Sequence, residues 1–417
     1  MATSAVPSQL ELDEEACRDA GVDASRLRRV PERLAPLVSE GPLPCLDVVV
    51  ERRGRRLLRW IAGFADAERR VPLEREATWR IYSMTKPIVT VALLSLLEEG
   101  LVGLDDEVAT WLPAFAEPRV YRGGSGDALK TAAASTPLSV RHLLTHTSGL
   151  TYDFFFETVV DELYRRHKLT TQGWPGDLGS WVDELASLPL LFEPGQRWNY
   201  SVSIDVVGRL IEVLSGQPLD QALAERVFNP LGMDQTGFWV SERSAGSLVA
   251  CWAQPPSGDV VVFDRPESSR WLERPSMLSG GGGLVSTTED YVRFCRMLLG
   301  GGALGGHRVL GPRTLALAMQ NHLPGGRTID AMGPAEFSGA STAGLGFGLG
   351  GSVLVDPVAA GLPGAPGRFS WGGIAGTTFF VVPRDELSVV AMTQLIPPAA
   401  SPLRRRLAVL VDQALVD

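Results

Sequence analysis

Along residues 86–99, KPIVTVALLSLLEE, apolar side chains occupy nearly every helical face. A surface helix would show a single stripe, so this pattern predicts a helix buried on all sides, ended by Gly100 and Gly103. From Glu11 to about Ser39 apolar positions recur three and four apart, which predicts helix there too. Residues 46–65, LDVVVERRGRRLLRWIAGFA, place valines on one arm and Leu57, Leu58, Trp60 and Ile61 on the other. With Arg53-Gly54 between them they read as a β-hairpin.

The middle of the chain keeps a helical period. A helix is expected after Pro137 in TPLSVRHLLTHTSGL, running to Gly149, and two more in 203–233, separated by Gly216 and Pro218. Gly280 to Gly283 read as a tight turn. Beyond it Ser286 and Glu289 fit a capping box, with Thr287 as a competing first residue. From Gly344 short apolar runs broken by glycine and proline predict three antiparallel strands, and residues 402–417 close the chain as a helix. Strands at both ends with helices between them make an α+β fold: an antiparallel sheet built from both chain ends, flanked by helices, with an inserted helical lobe. The expected division is 1–95 with 285–417 as the sheet lobe and 96–284 as the mostly helical lobe, the active site lying between them.

Composition narrows the function more than the fold. The 417 residues are 45% hydrophobic with net charge −9, so a large core is available and no basic stripe suggests nucleic acid. Cys17, Cys45, Cys251 and Cys295 are widely spaced, without a C-x-x-C pair. The acidic N-terminus has no apolar run like that of a signal peptide, and no stretch is long enough to span a bilayer. A cytoplasmic protein is expected, with no membrane, metal or cofactor partner.

Three stretches carry chemistry. Ser83-Met84-Thr85-Lys86 heads the buried helix, where residues three apart share a face. A serine hydroxyl needs a neighbouring base to become a nucleophile, and a buried lysine or a tyrosine beside a lysine supplies one. A helix start also offers free N–H groups to a developing oxyanion. Tyr200 follows a turn at Pro194-Gly195 and precedes a helix, and Trp371-Gly372-Gly373 would let a chain or ligand approach a strand closely. Each alone has a plain alternative: a helix start, core packing, a glycine bulge.

Taken together, and in order, Ser83-Met84-Thr85-Lys86, Tyr200-Ser201-Val202 and Trp371-Gly372-Gly373 resemble the serine β-lactamase/penicillin-binding-protein superfamily. The likeness is closest to the family VIII carboxylesterases, relatives of class C β-lactamases. PLSVRHLLTHTSGL, VFNPLGM and SGGGGLVSTTEDYVRF agree, so the resemblance covers roughly residues 45 to 395. It implies a β-lactamase/transpeptidase-like fold with Ser83 as the acylated nucleophile. Lys86 would bond Ser83 and Tyr200 and shuttle the proton. Tyr200 would act as general base and acid, and the backbone N–H groups of Ser83 and Ile374 would form the oxyanion hole. Trp371, Gly372, Gly373 and Val202 would contact substrate.

Two departures matter. Class C enzymes carry asparagine where Val202 stands and lysine where Trp371 stands, so a small ester is favoured over a β-lactam. The implied activity is that of a serine carboxylesterase or acyltransferase. A β-lactamase or D-amino-acid peptidase, or a non-catalytic sensor, are the alternatives. Phe154 and Phe155, with Phe156, Trp174 and Trp181, are candidates to line the site. The G-x-S-x-G frame of α/β-hydrolases is absent, and His142 and His146 lack the glutamate of H-E-x-x-H, so they read as packed or capping residues.

Overall fold

The computed structural model describes residues 6–171, 173–337 and 339–417. Its main sheet joins strands from the two ends of the chain: β1 (Ser8–Leu12), β2 (Cys45–Arg52), β3 (Arg55–Asp66), β4 (Leu345–Phe347), β5 (Ser352–Leu354), β6 (Phe369–Gly372), β7 (Thr378–Val382) and β8 (Leu387–Met392). They lie in the order β1-β3-β2-β8-β7-β6-β5-β4, and every pairing among them is antiparallel. The predicted hairpin is β2–β3. Arg53 and Gly54 both take positive φ, 52° and 71°, as a two-residue turn matched to the strand twist requires.

The chain ends meet where β8 pairs β2, with Val390 opposite Val49. Alternation along these central strands sorts side chains into two cores. Val48, Val50, Val389 and Phe380 face one, packed by the helices α1 (Arg29–Ser39) and α5 (Leu403–Asp412). Val49, Val390, Phe379 and Val381 face the other, which continues into α2 (Thr85–Glu98), α3 (Ser203–Ser215) and α4 (Thr288–Leu299). α2 is buried on every side at its centre, as its pattern predicts, and it packs against α3. The expected lobe boundary at 95/96 therefore falls inside the last turn of one unbroken helix.

Four expectations need correction. Glu11 and Leu12, expected in helix, end the edge strand β1, and the helical stretch to Ser39 is divided into three helices. The helix after Pro137 is only Val140–Leu144, because His146 turns to φ 55° and ends it. Its N-cap is Ser139, bonded reciprocally to His142, so His142 is the capping residue the sequence suggested. The C-terminal region supplies five strands to the sheet, not three. Finally, α4 is capped by Thr287, whose hydroxyl accepts the Asp290 N–H at 3.2 Å, whereas Ser286 belongs to a strand. Glu289 turns away to bond Arg56 and Arg59.

That last contact belongs to an ion network between β2, β3 and α4. Asp47 is fully buried and accepts Arg59 Nη2 at 2.9 Å and the Thr288 hydroxyl at 2.8 Å. Burial raises its carboxyl above the usual range, with Arg59 the chief opposing influence. Among the described residues no helix is long and apolar enough to cross a membrane. Arg59→Ala leaves Asp47 buried with one neutral partner, and should destabilise the protein by about 3–5 kcal/mol at pH 8. The folded state of this variant holds the Asp47 proton more tightly than the unfolded chain. Its stability deficit should therefore shrink as pH falls toward 5. Urea midpoints at the two pH values check this, and an equal deficit at both would contradict it.

Candidate active site

α2 is preceded by a single 3-10 turn, Tyr82–Met84, which carries Ser83. Tyr82 has φ 43°, a conformation that costs a bulky residue energy and is held only where its surroundings insist. Here Trp271 packs edge-on against the Tyr82 ring at 5.8 Å, and the side chain is buried. Ser83 itself stays on the wall of a cavity of about 590 Å³.

One turn further on, Lys86 is wholly buried. An ammonium has three donors, and three acceptors meet it: Ser83 Oγ at 3.2 Å, the Tyr152 hydroxyl at 3.0 Å and the Gly281 carbonyl at 2.5 Å. The Tyr200 ring lies 4.6 Å from the same nitrogen and adds a cation–π contact. The expected Lys86–Tyr200 hydrogen bond is thus replaced by one to Tyr152. The Tyr200 hydroxyl has no hydrogen-bond partner among the described residues, and Tyr200 lines the cavity. Tyr152 sits behind it, and burial, then the neighbouring Tyr200, holds its phenol well above the ordinary range, so it stays neutral.

The Gly281 turn is fixed from the other side by Asp205 on α3. Its Oδ1 accepts the Ser279 hydroxyl at 2.5 Å and the Gly281 N–H at 3.0 Å. A Cβ at Gly281 would stand 2.3 Å from Asp205 Oδ2, so only glycine fits there. Burial raises the Asp205 carboxyl, and Lys86 is the chief influence against that rise.

Trp371, Gly372, Gly373 and Ile374 reach the same cavity from the end of β6, and Phe154 and Phe155 line it from the loop after Val140–Leu144. The two glycines admit parts of this same chain. A Cβ at Gly372 would meet the Arg404 guanidinium at 2.5 Å, and one at Gly373 the Ile81 carbonyl at 2.6 Å. The Trp371 ring packs 5.3 Å from Tyr200 and makes that wall apolar. Of the other candidates, Val202 is 1% exposed in the core, and its side chain is not among those lining the cavity. Phe156 points outward, 72% exposed under Arg165, Trp181 is core, and Trp174 bonds Ser180. His146 shares a hydrogen bond with Ser201 at 3.2 Å, and burial, then Lys86, keeps it neutral, so it is a packed residue. Among the described residues no group of three His, Cys, Asp or Glu is placed to hold a metal.

Sequence reasoning missed Tyr152, Asp205 and Arg404. An acid set between Ile204 and Val206, on the apolar side of the helical period, was the available signal for Asp205. Tyr152 had no signal beyond its place after THTSGL, and Arg404 was hidden in a run of three arginines.

The Beta-lactamase family model matches residues 30–413. Esterase EstB of Burkholderia gladioli is 34% identical over 83% of this chain and 84% of its own length. Protein Rv1367c of Mycobacterium tuberculosis is 36% identical over 80% of this chain and 82% of its own. Among solved structures, EstCE1, described as a hydrolase with promiscuous acyltransferase activity, is 29% identical with a TM-score of 0.76. That match covers 94% of this chain and 98% of EstCE1.

Tyr152→Phe removes one of the three acceptors around a buried cation. An unmet buried donor costs about 1–3 kcal/mol, so stability should fall by that amount and ester turnover by about 10–100-fold. Chemical denaturation and hydrolysis of a nitrophenyl ester check both, and parent-like turnover would reduce Tyr152 to a packing residue.

Proposed function

Because this chain belongs to the β-lactamase family, we propose that it is a serine carboxylesterase of the family VIII type. It would act on small acyl esters through an acyl-serine, with water or a second alcohol as acceptor. The observation that carries the reading is the buried Lys86 ammonium bonded to Ser83 Oγ at 3.2 Å on the wall of a large cavity. EstB is an esterase by name and EstCE1 is described as hydrolase and acyltransferase, which supports acyl transfer from an ester.

In this reading Ser83 Oγ forms the bond to the acyl carbon. Its proton passes to the Tyr200 oxygen, which enters the step as a phenolate, while the Lys86 ammonium balances that charge across the ring contact and donates to Ser83 Oγ. The carbonyl oxygen takes the negative charge, facing the N–H groups of Ser83 and Ile374. As the tetrahedral intermediate collapses, the bond to the alcohol breaks and Tyr200 returns the proton to the leaving oxygen. Water or another alcohol then attacks the acyl-serine, gives its proton to the same base, and restores Ser83. We place this chemistry in the cytoplasm. All four cysteines are free and buried, as suits a reducing compartment.

The substrate preference follows from the wall. Trp371 offers an apolar face where class C enzymes place a lysine. Arg368, Arg404 and Arg405 also border the cavity, but each already donates to this chain's own Asp412 or to main-chain carbonyls. A β-lactam brings a carboxylate and an amide, and each such group left unpaired costs about 1–3 kcal/mol. Phe154 and Phe155 line the cavity, and in this reading they narrow its acyl side against long chains. We expect kcat/KM to be highest for acetyl or butyryl nitrophenyl esters and lower by about 100-fold or more for a palmitoyl ester and for a chromogenic cephalosporin. A cephalosporin turned over as efficiently as the best ester would replace this reading with the β-lactamase one.

A further inference from the structure

The C-terminal helix α5 begins at Leu403, and its second residue turns back across the end of β6. Arg404 Nη2 donates to the Gly373 carbonyl at 2.6 Å and to the Thr377 carbonyl at 3.2 Å. Its Nε is sealed from solvent without a partner, and no carboxylate pairs with it among the described residues. Burial pushes the guanidinium down to about 10, so it is still a cation at neutral pH. A cation that no acid neutralises is therefore spent on two main-chain carbonyls. Gly372 is what lets it lie there, since a Cβ would stand 2.6 Å from Cζ.

The Gly373 carbonyl belongs to the same peptide unit as the Ile374 N–H. That unit is planar and trans, so its N–H points away from its C=O. A charged donor on the carbonyl draws electron density from the nitrogen and makes the N–H on the far edge a stronger donor, as hydrogen bonds in series do. The opposite side of the turn is also clamped. The Gly373 N–H donates to the Thr377 carbonyl at 2.9 Å, and the Thr377 hydroxyl reaches the Ile81 carbonyl, two residues before Ser83, at 3.4 Å. The turn is thus held between the nucleophile's own segment and Arg404.

We propose that Arg404 is a positioning residue for acyl transfer: it fixes and polarises the Gly373–Ile374 peptide so that the Ile374 N–H stabilises the oxyanion. The proposal rests on the acyl-serine reading above, in which that N–H faces the developing charge. It separates Arg404 from a mere tether of α5 to the sheet, because a tether would affect stability and leave the transition state alone. Acylation and deacylation both pass through an oxyanion, so losing the polarisation lowers kcat and kcat/KM together and leaves KM in place.

The test uses the full chain with Arg404→Met and Arg404→Lys. The readouts are nitrophenyl butyrate kinetics, thermal unfolding, and affinity for an alkyl trifluoromethyl ketone, which forms a tetrahedral adduct with an active-site serine. Arg404→Met should lower kcat about 10–100-fold with KM within about twofold, and weaken the ketone by the same factor. Arg404→Lys, which keeps the charge but not the planar fork, should recover activity to within about tenfold of the parent. Unchanged kcat in Arg404→Met, a rise in KM alone, or lost thermal stability with parent-like kcat and ketone affinity would each overturn the proposal. If Arg404→Met does not fold, Arg404→Gln, which keeps a polar donor without the charge, decides: a parallel loss of kcat and ketone affinity supports the role, and parent-like values refute it. Ser83→Ala runs beside them. Full turnover in Ser83→Ala would sink the acyl-serine reading itself, whereas a dead Ser83→Ala with parent-like Arg404 variants would sink only the role of Arg404.

Discussion

Burying one ammonium group organises the centre of this protein. Lys86 has no access to solvent, so its three donors must be met by protein, and the acceptors come from three distant parts of the chain. Ser83 comes from the turn before α2, Tyr152 from the loop after Val140–Leu144, and Gly281 from the glycine turn before α4. Asp205 on α3 then holds Gly281 from behind. Moving any of these elements leaves a buried charge with an unmet bond, so the requirement that places the lysine also places the nucleophile.

The opposite wall obeys a different rule, that of close approach. Trp371 supplies an apolar face, and the two glycines after it are small because other parts of the chain lie against them. Arg404 reaches Gly372 from the last helix, and Ile81 reaches Gly373 from the segment that carries Ser83. The antiparallel sheet makes this possible by pairing β8 with β2, so both chain ends contribute to one rigid frame under the cavity.

Much of this was legible in the sequence, for identifiable reasons. A helix apolar on all sides and a two-residue turn with strong alternation on both arms are local signals, and α2 and β2–β3 follow them. The order of Ser83, Lys86, Tyr200 and Trp371-Gly372-Gly373 marked the family, and the fold and the cavity bring those residues together. The failures are non-local. Glu11 and Leu12 fall within the helical period, yet they close a strand that pairs with β3 because that edge is open to it. Ser286 and Glu289 had the spacing of a capping box, but Glu289 is drawn to Arg56 and Arg59 on the sheet. Val202 sits beside the motif tyrosine in sequence, but the helix start turns its side chain into the core. Tyr152 took the bond expected of Tyr200 because it lies behind Lys86, a relation that no spacing encodes.

Every step of the proposed chemistry passes through Ser83 as the residue that carries the acyl group. The most direct measurement is to mix the protein with nitrophenyl butyrate, quench with acid within the first turnovers, and map the modified peptide by mass spectrometry. One butyryl group is expected on the peptide containing Ser83, at the position of Ser83 itself. The other plausible serines are already committed, Ser148 to Ser203 and Ser286 to Thr236, each at 2.8 Å and without a lysine partner. A butyryl group on either of them, or turnover without any covalent adduct, would contradict it.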